Sequence, residues 1–564
     1  MKGRRVAWWF VGPALAVIGV FFVLPVAAGL ALSVTDFDIY ALADLSNLRF
    51  VGWRNYTRLL ETPLFWQAFG NTAYFVVAGV PLSLAVSLGA ALLLHSRLAR
   101  WKGFYRTALF APVVTTLVAV AVIWRYLFNT RYGFLNYALG FAGIDPIDWL
   151  GDPHWAMPAI IVFAVWKSFG YNMVILLAGL QSIPEDLYDA ARIDGASYFE
   201  RFVHVTLPML SPLFTLVTII TVAGYFQLFG AVRDDAGRPA AEHRERPLLH
   251  VRGRVQVVEP RQRLGCRVPP LRVHPRHHVR ADAHGAARGS GMNRRLAAWI
   301  VNGLLAGLAA VTLFPLLWMV AASLMPAGES GAFPPPLVPR HPTLEHYREL
   351  FAHAGMGRYL VNSILLAVAA TLLSLAFNVA AGYAFAKLRF AGRDRLFKLL
   401  VAALIVPAQV AMVPLFLLLK TLGLVNSYGG VIVPAMASIF GIFLVRQYAL
   451  SIPDDLIEAA RIDGASEFRI YRAIVVPLLK PIIVTLGVFT LLGTWNDFMW
   501  PLIVLTDQDL YTLPVALASL AREHVQDNEL MMAGSVLTTL PVLLVFMALQ
   551  RYYIEGLTLG SLKG

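Results

Sequence analysis

The sequence predicts an all-α polytopic membrane protein. It reads as two six-helix repeats in the same orientation, with the sixth helix of the first repeat lost and about eleven transmembrane helices in all. Three observations predict this. The 564 residues are 58% hydrophobic and only 14% charged, against about 25% charged in a soluble domain. Apolar runs close to the ~20 residues that cross a hydrocarbon core recur along the chain. A segment of the first half returns almost unchanged in the second. With mean hydropathy at +0.63, too little polar surface remains for a soluble enzyme or a disordered chain. The single cysteine, Cys266, excludes a disulfide scaffold.

The apolar runs are 7–32, 71–94, 107–128, 156–180 and 205–229, then 297–324, 359–385, 396–419, 430–450, 481–505 and 531–549. The first is too long for a signal peptide, lacks a small-residue cleavage pattern and is followed by further spans, so a retained helix is expected. Basic residues set the orientation. Lys2, Arg4 and Arg5 precede the first run; Arg97, Arg100, Lys102 and Arg106 lie between the second and third; Arg192 and Arg201 lie between the fourth and fifth. Arg294 and Arg295, then Lys387, Arg389, Arg393 and Arg395, then Arg461, Arg469 and Arg472 repeat the pattern. Each half is therefore expected to start in the cytoplasm and keep these loops there.

The repeat is read from Ser182-Ile-Pro-Glu-Asp-Leu-Tyr-Asp-Ala-Ala-Arg-Ile-Asp-Gly-Ala-Ser197, which aligns with Ser451-Ile-Pro-Asp-Asp-Leu-Ile-Glu-Ala-Ala-Arg-Ile-Asp-Gly-Ala-Ser466 at an offset of 269. The same offset pairs Pro208 with Pro477, Gly224 with Gly493 and Phe229 with Phe498. Earlier, Asn71-Thr72 pairs with Asn362-Ser363 at an offset of 291, the extra 22 residues falling in the 131–153 loop. The duplication is parallel, not inverted. Domains are expected at 1–230, with the repeated loop at 182–208, and at 292–564, with its twin at 451–477.

After Phe229 the match stops. Residues 231–291 hold 13 Arg, no Lys, 6 acidic residues, 6 of the 13 His and Cys266. No stretch there is apolar enough to span, since each central Arg costs about 2.5–3.5 kcal/mol. One reading is a basic linker for nucleic acid or lipid; the reading preferred is out-of-frame translation beginning near residues 230–232. The remnant after Phe229 is 62 residues and that after Phe498 is 66. Read one nucleotide along, codons permitted by Val232-Arg-Asp-Asp give Tyr-Val-Met-Thr, and the invariant start of Met292-Asn293 gives a stop. Topology agrees: five crossings leave residue 231 outside, yet Arg294 and Arg295 belong inside, and a polar segment cannot recross.

The segments Asp189-Ala-Ala-Arg-Ile-Asp-Gly195 before Pro208, and Glu458-Ala-Ala-Arg-Ile-Asp-Gly464 before Pro477, resemble the cytoplasmic EAA loop of ATP-binding-cassette (ABC) importer permeases. The resemblance covers both halves outside 231–291 and implies the type I, MetI-like permease fold, twice. Ala178-Gly-Leu-Gln-Ser-Ile-Pro184 and Thr494-Trp-Asn-Asp-Phe-Met-Trp-Pro501 look like the carbohydrate-uptake branch with maltose-type and glycerol-3-phosphate-type permeases. It implies that Asp189, Ala190, Ala191 and Gly195, and Glu458, Ala459, Ala460 and Gly464, dock two ABC ATPase subunits. It implies an extracellular or periplasmic sugar-binding protein as the other partner, and residence in a bacterial or archaeal cytoplasmic (inner) membrane with the N-terminus inside.

The residues suit that role. Pro184 starts a short helix, the alanines give a close-packing face, and Gly195 and Gly464 let it end and turn. Asp189 is one methylene shorter than the family's Glu, so weaker reach is expected there. The alternative is an ordinary interfacial helix with a glycine cap. The chain holds no G-x-x-x-x-G-K-[ST]. ATP and its Mg are therefore expected on the partner ATPase, with no cofactor, catalytic residue or metal site in this chain, and no nucleic-acid partner.

Intramembrane polar residues are candidates for the solute pathway: Lys167, Tyr171, Asn172 and Gln227 in the first half, Trp495, Asn496 and Asp497 in the second. Sugar sites pair aromatic faces with amides and carboxylates; helix–helix hydrogen bonding or capping is the other reading of each. Asn71 and Asn362 are read as helix-opening caps. Two other functions compete. An ion-coupled secondary transporter wants buried acids, which are few here. A membrane-embedded enzyme wants clustered His or carboxylates, and the adjacent pair His277 and His278 lies in 231–291.

Overall fold

The computed structural model describes residues 2–37, 48–235, 290–523 and 527–561. The linker expectations for 231–291, including Cys266, His277 and His278, fall almost wholly outside these residues. Among the described residues the chain is helical, and the one β contact is an isolated bridge between Thr35 and Phe50.

The first half contributes α1 (Arg5–Leu32), α2 (Pro63–His95), α3 (Lys102–Val114), α4 (Leu117–Leu127), α5 (Pro153–Ser182), the short α6 (Glu185–Ile193) and α7 (Tyr198–Gln227). The second contributes α8 (Arg294–Ala322), α9 (Met356–Lys387), α10 (Arg393–Ala403), α11 (Ala408–Thr421), α12 (Tyr428–Ala449) and the short α13 (Asp454–Ile462). It ends with α14 (Glu467–Leu478), α15 (Lys480–Asn496), α16 (Leu513–Glu523) and α17 (Asn528–Gln550). Eight of these helices are long and apolar enough to cross a membrane, and up to eleven spans result if each bent pair is one. The bends are 99° between α3 and α4, 93° between α10 and α11, and 78° between α14 and α15. The sequence runs 107–128 and 396–419 are thus broken in the middle rather than straight. Thr115 and Thr116 at the first break are both extended, and proline at 407 favours an extended residue before it.

The halves exchange their first helices. α1 packs along α9: Phe10 sits edge-on to Tyr383 (5.6 Å) and to Tyr471 (5.1 Å), and Trp8 lies 5.5 Å from Phe390. Ala7, Val11, Ala14 and Ile18 are buried in the core of the second half. α8 in turn lies on the first half. Trp166 Nε1 donates to Thr312 O (3.1 Å), and Trp318 stacks on Tyr126 at 4.1 Å. α17 enters the same shared core, where Phe546 stacks on Phe110 at 5.0 Å.

Gly170 shows how closely the spans pack. A Cβ there would press on Leu109 O and stand 3.0 Å from Phe110 Cα. α5 crosses α3 backbone to backbone, the approach that small residues permit in membranes.

Two expectations are corrected. Asn71 and Asn362 do not cap helices, because α2 and α9 begin several residues earlier, at Pro63 and Met356. Asn362 is buried, and its Nδ2 donates to Asp509 O (2.9 Å) and Tyr511 O (3.0 Å), tying down the segment before α16.

The ends flanking 236–289 lie on opposite faces. The helix of α7 rises from the face carrying α6 and continues to Asp235, about 40 Å at 1.5 Å per residue. α8 begins back on the α6 face, where Asn302 accepts from Arg100 N (2.9 Å) and donates to Leu98 O (2.9 Å).

Gly170→Leu should overpack the α3–α5 crossing and cost about 1–3 kcal/mol. Thermal unfolding in detergent, followed by size-exclusion fluorescence, should show a clear loss, while Gly12→Leu, with nothing near its added Cβ, should not.

Candidate functional site

The two repeated loops form matching surface helices on one face. α6 follows Pro184 and α13 follows Pro453. At each end a left-handed glycine turns the chain: Gly195 has φ +80° and Gly464 has φ +79°. The glycine N–H donates to the Arg192 or Arg461 carbonyl, and Ala196 N or Ala465 N reaches back to Ala191 O (2.9 Å) or Ala460 O (3.0 Å). This is the Schellman arrangement, which a residue with a Cβ would strain. Ser197 and Ser466 then cap the next turn, Ser197 in a full capping box with Glu200.

Both helices are fastened by an ion pair on their first turn. Arg97 pairs with Glu185, and Lys387 pairs with Asp454 at 2.6 Å while also donating to Ile452 O at 2.5 Å. Arg97 holds the Glu185 carboxyl below the usual carboxylate range, and Lys387 does the same for Asp454. Glu185 and Asp454 were not singled out from the sequence, although they occupy matching positions in the repeat.

The faces turned outward are also twins. Asp189, Ala190, Glu458 and Ala459 are exposed, and Ala191 and Ala460 half-buried. Around them Leu187 and Ile193, Leu456 and Ile462, and then Phe199 and Phe468 are exposed. Asp189 differs in being paired with Arg192 at 2.9 Å, whereas Arg461 pairs with Glu467 at 2.6 Å. A cavity of about 270 Å³ opens beside α6, lined by His95, Arg97, Glu185, Tyr188, Arg192 and Arg201 among others.

The pathway candidates fall into two groups. Lys167 and Asn496 meet at the α3–α4 break. Lys167 Nζ donates to Pro112 O (2.6 Å), Val113 O (3.0 Å) and Thr115 O (2.7 Å), and Asn496 Nδ2, from the other half, donates to Val114 O (2.9 Å). The carbonyls of residues 113–115, freed by the bend, are thereby satisfied, while Pro112 O also accepts from Thr115 N (3.3 Å) and Thr115 Oγ1 (2.7 Å). Asn496 Oδ1 is buried without a partner among the described residues. The others lie apart. Asn172 is buried and bonds Thr221 Oγ1 (2.9 Å), linking α5 to α7; Trp495 Nε1 donates to Thr538 O (3.0 Å), linking α15 to α17. Asp497 accepts from Trp500 N at 3.3 Å where α15 ends. Tyr171 packs half-buried against the shared core, and Gln227 is exposed on α7. Among the described residues no group of three or more His, Cys, Asp or Glu could hold a metal ion.

The family model for the binding-protein-dependent transport system inner membrane component matches residues 83–232 and again 378–558, more than half of the chain. The chain belongs to that family. It is a multi-pass membrane transport component with two such domains in one polypeptide. It is 38% identical over 269 residues to the arabinooligosaccharides transport system permease protein AraQ of Halalkalibacterium halodurans, covering 47% of this chain and 96% of that one. It is 39% identical over 238 residues to the lactose transport system permease protein LacF of Rhizobium radiobacter, covering 41% and 78%. It is 36% identical over 231 residues to the trehalose/maltose transport system permease protein MalF of Thermococcus litoralis, covering 41% and 77%.

Lys167→Met should leave two carbonyls at the break, Val113 O and Thr115 O, without their donor, since Pro112 O keeps Thr115 N and Oγ1. A buried unsatisfied group costs about 1–3 kcal/mol, so Tm should fall and amide exchange at 113–117 should rise, with Lys167→Gln intermediate. A second expectation concerns pH. Because the Glu185 and Asp454 carboxyls are held low, their ion pairs stabilise the folded form above the ordinary carboxylate range, about pH 4, and lose that contribution as pH falls through the lowered values. Hydrogen exchange of α6 and α13 should therefore rise on acidification, and Lys387→Met should remove this pH response in α13 while leaving it in α6.

Proposed function

We propose that the chain is the membrane-spanning permease of an importer for a carbohydrate or polyol, driven by two separate ATPase subunits that grip α6 and α13. The observation that carries this reading is the pair of matched helices on one face, each capped by a left-handed glycine and each presenting an acid, two alanines and exposed apolar side chains. Such a surface suits insertion into a cleft: alanines allow close approach, Ile193 and Ile462 give apolar area, and Glu458 or Asp189 meets a basic group. The basic residues at the starts of α1 and α8 and in the adjoining loops support a cytoplasmic orientation for this face. A sugar-binding protein then delivers solute on the opposite face.

ATP binding would draw the two ATPases together and, with them, α6 and α13. The pore alternates between faces because ATP favours one of two pre-existing states. The permease itself makes and breaks no covalent bond. The carbohydrate class follows from the relatives, whose names cover arabinooligosaccharides, lactose and trehalose/maltose. Asn496 Oδ1, a buried acceptor without a partner among the described residues, is the pathway atom best placed to receive a hydroxyl.

Uptake into proteoliposomes should require ATP, the ATPase and the binding protein, and should survive collapse of the proton gradient; a flux that follows the gradient instead would make this an ion-coupled transporter. Glu458→Arg should lower ATPase capture by about 2 kcal/mol, some thirtyfold, as for an interface hot spot. Asp189→Arg should cost less, because Asp189 is shorter and already paired with Arg192. Co-purification of the ATPase with each variant checks both.

A further inference from the structure

The repeat relates the two halves residue by residue, so each surface in one has a counterpart in the other. α17 covers one face of α15. Thr485 Oγ1 donates to Tyr552 O (2.8 Å) beyond the end of α17, and Trp495 Nε1 donates to Thr538 O (3.0 Å) within it. Val488 and Leu492 lie between them at helical spacing, in the cluster that holds Val542 and Phe546. At an offset of 269 the counterparts on α7 are Leu216, Ile219, Ala223 and Phe226. Thr485, Val488 and Trp495 are 2%, 2% and 7% exposed; Leu216, Ile219 and Phe226 are 43%, 61% and 51% exposed.

The facing wall behaves in the same way. α17 also packs on α3 and α4, through Phe546 on Phe110. One turn further Val114 is 2% exposed, while its counterpart at an offset of 291, Ile405 between α10 and α11, is 84% exposed. Apolar exposure alone is ordinary on a membrane protein. The polar partner separates this face from a lipid-facing one. Asn496 donates across the halves to Val114 O; its counterpart Gln227 is exposed, and the matching acceptor would be Ile405 O. A bare amide facing lipid is unfavourable.

We propose that the groove between α7 and the α10–α11 bend is the seat of a twelfth transmembrane helix, the counterpart of α17. We further propose that this helix is specified by the nucleotides of codons 232–291 read one position along. The length fits, since 62 residues lie between Phe229 and Met292, and 52 carry the chain from Phe498 to the end of α17 at Gln550. The end fits, since Met292-Asn293 shifted by one nucleotide reads a stop. The geometry fits as well: a sixth crossing returns the first domain to the α6 face, where α8 begins.

The test compares the present chain with one whose reading frame is shifted by one nucleotide from codon 232 and which is co-expressed with residues 292–564. In both, Ile219→Cys or Ile405→Cys is introduced, with Cys266→Ser in the present chain, and modification by a lipid-soluble maleimide is timed in membranes. The thiols should react readily in the present chain and at least tenfold more slowly in the shifted one, with Ile193→Cys on the opposite surface equally reactive in both. Unchanged rates mean that lipid lines the groove. A disulfide-linked dimer of the Ile219→Cys chain means that a second copy fills it. Either result overturns the proposal. The nucleotide sequence gives a check that does not depend on folding: an earlier stop in the shifted frame, or fewer than about 18 consecutive largely apolar codons, also overturns it.

Discussion

Hydrocarbon offers a peptide group no hydrogen bond, and this constraint orders the whole structure. A straight helix satisfies it by itself; a bent one cannot. Where α3 turns through 99° into α4, the carbonyls of residues 113–115 lose their helical partners. An ammonium from α5 takes two of them, along with Pro112 O, and an amide from the other half takes the third. The same device recurs at the interruption in α12. There the wholly buried Asn378 accepts from Ser438 N (2.9 Å) and anchors its own amide on Ser374 Oγ (2.7 Å). Asn426 does so at the rim, accepting from Thr506 N (3.0 Å) and Asp507 N (2.8 Å). Buried polar side chains in this protein are largely substitutes for missing backbone partners.

That explains both what could be read in the sequence and what could not. Whatever depends on local chemistry was legible. Apolar length gave the spans, proline and glycine gave the ends of α6 and α13, and identity at a fixed offset gave the duplication. Bends were not legible, because hydropathy averages across Thr115 and Thr116 without registering that they are extended. Partners distant in sequence were not legible either. Lys167 and Asn496 stood out from the sequence as polar residues in apolar surroundings, but their shared target is a backbone break that no pattern marks. Asn362 looked like a cap because it opens an apolar run, yet its helix starts at Met356 and its amide holds the 509–511 segment.

The twin surface helices α6 and α13 are the converse case. Their shape is set within about fifteen residues, so the repeat transmits it intact to both halves. The side chains around them have drifted: Asp189 against Glu458, Arg97–Glu185 against Lys387–Asp454. Conformation is held by the capping geometry, and the fastening charges change identity around it.

The exchange of α1 and α8 carries a consequence for separability. Neither half owns a complete wall: removing one strips the other of a helix whose apolar side chains lie in its interior. Dissociation would therefore be a partial unfolding of both partners rather than the parting of two finished bodies. A lesion in either half is then felt as fragility in its neighbour, and the pair folds and unfolds as a single object.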